Sequence, residues 1–398
     1  MRVPFLTATG MILLLVACNH VTAGQRPIKP ELVIAADPLT KCCDEICSVA
    51  FSPDGSTIAA KLYHSDFLGS EGIILWDVTL GSLIKGLEFA PSGVYSIKFG
   101  PAGRTIGFPR GQIDDIQNGT ILRLGTPEDR IYSIAFSPDG ELIATSDGKS
   151  ADRIILWEAT TGNRLRIFTS DVKTGKQLQF SRDGKTLVSA GVDLVQFWSL
   201  DNGQLMRTIK PDCGAYALFA YDDEKSVLAV TECGNRDSNV IALLDAKTGR
   251  RINQLDGHTS VIWSLDLSPD GRFLVSSSGD LTIKLWNIAS GSLLRTFTGH
   301  SKIVRTVTFS PDAQTIASGG GDNETKIWSV PNGNLLVTLK AFSDGNWIVY
   351  TPDGYYNRSR EAAKYIKWRV NNKLYDEAIY SSKLFDPETV AQRLQGKR

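Results

Sequence analysis

The chain has 398 residues, with 43 Lys plus Arg against 43 Asp plus Glu, a formal net charge of zero at pH 7 and 42% hydrophobic residues. That length and an ordinary globular composition admit one large β domain or two average ones. The charge balance, with no basic or acidic run, argues against a protein that holds nucleic acid through clustered cations.

Arg2 followed by the apolar run Met11 to Ala17 has the layout of an export signal. The run is too short to span a bilayer, which takes about 20 apolar residues. Leu15-Val16-Ala17-Cys18 resembles the lipobox of bacterial lipoproteins. The resemblance implies cleavage before Cys18, lipidation of its thiol and amine, and a place in the bacterial cell envelope. Since Asn19 rather than Asp follows, it also implies the periplasmic face of the outer membrane. Two or three acyl chains hold a protein on a membrane where one does so only marginally, so Cys18 suffices as anchor. Cleavage after Ala23, in Val21-Thr22-Ala23, is the alternative and gives a secreted soluble protein.

Cys42, Cys43 and Cys47 crowd the approach to the first regular segment. A bridge from Cys47 to Cys42 or Cys43 leaves one thiol over. A closed zinc site needs four ligands and no fourth Cys or His lies near, so no metal is assigned.

From here the chain repeats. Phe51-Ser52-Pro53-Asp54-Gly55 recurs at Phe136 to Gly140, Leu267 to Gly271 and Phe309 to Asp312, with weaker copies at Phe99, Phe180 and Phe219. Pro pre-sets the first turn position, Asp tolerates the second and Gly takes the left-handed conformation, so each copy is a strand-to-strand corner. Apolar strands ending in Trp76, Trp157, Trp198, Trp286 and Trp328 follow. Turn glycines stand at 81, 119, 162, 203, 249, 291 and 333, at intervals of 38, 43, 41, 46, 42 and 42 residues.

These units resemble WD repeats, whose blades of four strands recur every ~40 to 45 residues. The resemblance covers about residues 30 to 340 and implies an all-β WD-repeat β-propeller. Its tetrad of loop His, strand Ser, turn Asp and strand Trp is complete as His258, Ser276, Asp280, Trp286 and as His300, Ser318, Asp322, Trp328. A buried indole, imidazole and carboxylate survive only as a satisfied network, so these residues read as structural. The fourth unit keeps Ser189, Asp193 and Trp198 without the His, while Asp114 and Leu244 replace Trp in the second and fifth. Cys213 and Cys233 fall at the same end of the fifth unit if its strands pair antiparallel. A bridge there would stabilise by roughly 3 kcal/mol.

Eight outer-strand stretches can be counted, one of them before the first inner triple. Tyr350 falls 41 residues after Phe309, and Trp368 falls 40 after Trp328. The periodicity predicts a degenerate eighth blade over 341 to 372, with its outer strand supplied by about Leu32 to Ala35. The competing arrangement is a seven-blade ring with 341 to 398 as a separate cap. Trp347 to Trp368 resembles a terminal segment of bacterial WD-repeat proteins, some of them fused to caspase-like peptidases. Asp386 and Pro387 mark the start of a short helix with Val390 and Leu394 on one face. The chain thus divides into a signal (1–17), a lipid-anchored linker (18–29), a propeller (30–372) and a helical tail (373–398).

No nucleophile elbow, zinc-protease motif or complete phosphate loop occurs, and only His20 and His64 lie outside the tetrads. The expectation is therefore a non-catalytic, cofactor-free scaffold that binds other proteins and no nucleic acid, tethered to the envelope through Cys18. In WD-repeat proteins partners dock where inner strands begin, and the positions four before the corner are Tyr95, Tyr132, Lys176, Trp263 and Arg305. Tyr, Trp and Arg dominate binding hot spots. The alternative is a ligand-binding or hydrolytic propeller using its central channel, which convergent carboxylates at the channel mouth would favour.

Overall fold

The computed structural model describes residues 30–34, 45–63, 72–88, 96–107, 111–125, 131–147, 153–169, 177–191, 194–210, 218–234, 237–342 and 344–396. From Glu45 onward these residues fold into seven consecutive antiparallel meanders of four strands. Their innermost strands are Glu45–Phe51, Lys98–Phe99, Ile131–Phe136, Gln177–Phe180, Phe219–Asp222, Ile262–Leu267 and Val304–Phe309.

Local chemistry sets the corners. In Ser268-Pro269-Asp270-Gly271 the Ser268 hydroxyl donates to Asp270 Oδ1 at 2.6 Å and accepts from the Phe273 amide at 2.9 Å, while Gly271 sits at φ 66°. The same pattern recurs at Ser137, Ser181 and Ser310. In the fifth blade Tyr221, not Phe219, takes the corner position, opposite Leu228.

Each sheet is apolar on both faces and is covered only by its neighbours. Seven buried clusters fill the seven seams, from Ala59, Leu75 and Ile106 between blades 1 and 2 to Val307, Ile316 and Phe297 between blades 6 and 7. The last seam joins Ile46 and Val49 of the first blade to Ala317 and Ile327 of the seventh, so the ring closes at seven.

The expected eighth blade is corrected. The predicted pairing of the N-terminal strand does form: Glu31–Ile34 runs antiparallel to Ile366–Val370, with Leu32 opposite Trp368. Trp347–Tyr350, however, pairs with Leu335–Ala341, the outer strand of blade 7, and Tyr356–Arg358 extends that sheet to six strands. The cause is the Asp344-Gly345 turn, with Gly345 at φ 83° and Phe342 N donating to Asn346 O at 2.8 Å. It folds the chain straight back on the open edge of blade 7 instead of stepping to a new radial position. Trp368, the would-be tetrad Trp, is fully buried with no hydrogen-bond partner for Nε1 among the described residues. The C-terminal helix forms as expected over Pro387–Leu394, where Asp386 accepts from Thr389 N.

The innermost strands leave one edge unpaired toward the axis, and side chains satisfy much of it. Ser48 accepts from Ile97 N, Ser133 from Leu178 N, Gln177 from Phe219 N, and Thr306 from Val49 N, each reaching from one blade to the next. Asp266 repeats the device on Phe309 N at 2.8 Å. Thr306→Val keeps the shape but strands a buried amide, which should cost about 1–3 kcal/mol in urea denaturation.

Candidate interaction rim

In each of the two complete tetrads the four side chains form one hydrogen-bonded network. His258 Nδ1 lies 2.7 Å from Asp280 Oδ2 and Nε2 lies 2.8 Å from Ser276 Oγ, which also accepts from Trp286 Nε1 at 2.9 Å. His300, Asp322, Ser318 and Trp328 repeat this at 2.9, 2.8 and 2.8 Å. Burial works to raise the Asp280 carboxyl, but the His258 hydrogen bond, Thr282 and the nearby imidazole outweigh it and hold it well below the usual range. Asp322 is likewise lowered against its burial, by His300 and Lys326. In the incomplete blades Trp198 Nε1 donates to Ser189 Oγ at 3.0 Å, and Trp157 Nε1 to Thr145 Oγ1 at 2.7 Å; Asp193 lies outside the described residues. Asp114, in place of Trp, is raised by burial while Gln112 donates to it.

The tetrads pin the loops that carry the rim. Trp263 stands at the start of its inner strand, 40% exposed, with Arg305 of the next blade stacked on its indole at 4.1 Å. Arg305 Nε also donates to Glu45 Oε2 at 2.8 Å, so one chain of contacts crosses blades 6, 7 and 1. Sequence reasoning missed Glu45, and it also missed Leu281. That leucine is 40% exposed at φ 70° in the turn after Asp280, where the seventh blade has Asn323 at φ 58°. Asn adopts this conformation readily and leucine does not. Tyr95, Lys176, Cys18, Cys42, Cys43 and Cys213, and the side chains of Tyr132 and Cys233, lie outside the described residues. Cys47 Sγ sits 3.6 Å from both Lys61 Nζ and Lys61 O.

Residues 119–157, 249–287 and 291–329 match the family model of the WD domain, G-beta repeat. Those three stretches are WD40 repeats. The chain is similar to a periodic tryptophan protein 2 homolog from Dictyostelium discoideum, 31% identical over 160 residues, or 39% of this chain and 17% of that protein. WD repeat-containing protein 3 of Homo sapiens is 30% identical over 118 residues, 30% of this chain and 12% of that protein. A U3 small nucleolar RNA-associated protein 21 homolog from Schizosaccharomyces pombe is 27% identical over 150 residues, 37% of this chain and 16% of that protein. The match thus spans about a sixth or less of these relatives' own length.

These relatives correct the expected location. They are eukaryotic, and one is named for a small nucleolar RNA, which overturns the assignment to a bacterial envelope. Among the described residues no helix is long and apolar enough to cross a membrane.

Two outcomes follow for the tetrads. Ser276→Ala strands both the imidazole and the indole and should cost about 2–4 kcal/mol, against about 1 kcal/mol for Ser189→Ala, where one donor is affected. Because the folded-state carboxyls of Asp280 and Asp322 are lowered, their contribution is complete above the ordinary value of 3.8 and is lost as pH falls through that value toward the folded one. Urea midpoints between pH 7 and pH 3 check this, and Asp280→Asn should flatten the acid limb.

Proposed function

We propose that this propeller is a non-catalytic scaffold whose protein partner seats on the rim of blades 6, 7 and 1, around Trp263, Leu281, Arg305 and Glu45. The observation that carries the reading is Trp263 and Leu281, two large apolar side chains each 40% exposed on neighbouring strand ends of one blade. The turn imposes on Leu281 the left-handed conformation that Asn323 takes in blade 7, at a cost to leucine of about 1–3 kcal/mol. Arg305, already held by Trp263 and Glu45, presents its guanidinium with little rotamer freedom left to lose on binding. The relative named as associated with a small nucleolar RNA fits a binding role of some kind.

Catalysis in the channel would need convergent ionisable groups. At the positions just before each corner stand Ala50, Lys98, Ala135, Gln179, Ala220, Asp266 and Thr308. The one carboxylate among them is engaged by Phe309 N and Thr308 Oγ1. That distribution favours the rim. The zero net charge favours a protein partner over a nucleic acid.

Crosslinking in intact cells followed by mass spectrometry tests the proposal. It should recover a protein joined to peptides around Trp263 and Arg305, and Trp263→Ala should weaken binding of that protein by about 2 kcal/mol, roughly 30-fold. Recovery of no protein partner, or of one joined only to the opposite face, would contradict it.

A further inference from the structure

Four residues after each turn glycine the outer strand carries Lys85, Arg123, Arg166, Arg207, Asn253 and Arg295 in the first six blades. Four of these side chains donate across the seams. Lys85 Nζ donates to Ile116 O at 2.9 Å, Arg166 Nη1 to Leu200 O at 2.7 Å, Arg207 Nη1 to Lys247 O at 3.2 Å and Arg295 Nε to Val330 O at 3.1 Å. Each acceptor lies in the outer turn of the following blade, two or three residues before its glycine. At three seams the side chain also lies over that glycine: a Cβ on Gly203 would meet Arg166 Cδ at 2.8 Å, one on Gly291 would meet the Asn253 amide, and one on Gly333 would meet Arg295 Cδ at 3.3 Å. At the four seams with these hydrogen bonds the outer wall is latched from blade to blade by one repeated polar side chain.

The seventh blade breaks the pattern. Its residue at this position is Val337, fully buried and unable to donate. The turn it would serve is that of blade 1, ending at Gly81, and the C-terminal helix lies there instead. A Cβ on Gly81 would meet Val390 Cγ1 at 3.1 Å and Leu394 Cδ1 at 3.3 Å. The turn carbonyls accept from the same end of the chain, Gly81 O from Asn357 Nδ2 at 2.9 Å and Thr79 O from Gln395 Nε2 at 3.4 Å. Val390 and Leu394 share one apolar cluster with Trp76 and Val78 of the first blade and Val337 and Leu339 of the seventh.

We propose that the helix Pro387–Leu394 is a detachable clasp that closes the ring, taking at the 7–1 seam the place of the side-chain latch found at four of the other seams. An arginine on a blade cannot leave its strand, whereas the helix Pro387–Leu394 is a separate eight-residue element that enters the seam through Val390 and Leu394 and can peel away as a unit. The 7–1 seam is therefore the joint at which the ring opens, and a competing helix with the same Val-to-Leu spacing of four would open it.

Hydrogen exchange on the full chain tests this. Leu394→Asp, which puts a carboxylate into the apolar seam, should raise exchange roughly tenfold in residues 72–88 and 335–341 while leaving 131–256 unchanged. Adding Val337→Arg to that variant should restore much of the protection by recreating the side-chain latch. Equal loss of protection in every blade, no loss at the seam, or a seam that opens but is not rescued by Val337→Arg would each overturn the proposal. Leu394→Ala reads the same contrast more gently if the aspartate prevents folding.

Discussion

Everything in this molecule depends on a sheet that is apolar on both faces and cannot cover either by itself. Burying such a sheet needs a neighbour on each side, and the neighbour needs another, until the series meets its own beginning. Here it meets after seven: Ile46 and Val49 pack on Ala317 and Ile327, and Glu45 pairs with Arg305. The apolar seams supply the bulk of the stabilisation, and the polar groups decide which arrangement of seams is allowed.

Those polar groups act at three radii. Near the axis, Ser, Thr, Gln and Asp side chains reach forward to the unpaired amides of the next inner strand. Midway, the His-Ser-Asp-Trp networks of blades 6 and 7 tie the loops to the strand that carries the indole. At the outer wall Lys and Arg close the turns. The rim inherits its geometry from the middle layer, since Trp263 lies beside the Gly279-Asp280 turn that His258 holds, 3.5 Å from where a Gly279 Cβ would stand.

Much of this was legible in the sequence because it depends on local spacing. The Ser-Pro-Asp-Gly corners, the turn glycines and the two full tetrads are short-range patterns, and the structure forms them at the residues the spacing names. The period predicts an eighth blade because it continues through Tyr350 and Trp368, while the pairing is decided by two turn residues, Asp344 and Gly345, that carry no period. The inner-edge bridges and outer latches escaped notice because Ser48, Thr306, Arg166 and Arg295 look like ordinary polar residues of exposed strands until the next blade stands beside them. Their signal is a column, three residues before each corner or four after each turn glycine. Of the rim residues, Trp263 and Arg305 follow from position, whereas Glu45 and Leu281 depend on contacts and backbone conformation that spacing does not encode. The expected cellular address depends on the first 18 residues alone, and the eukaryotic relatives overturn it.

The central claim is that blade 1 packs directly on blade 7. A photo-reactive benzophenone amino acid in place of Arg305, irradiated in the folded protein and mapped by mass spectrometry, reads that contact without depending on stability. A seven-membered ring yields a link to the peptide containing Glu45 to Phe51. A link to Trp347 to Arg358 instead would mean that another blade stands between them and would contradict the account.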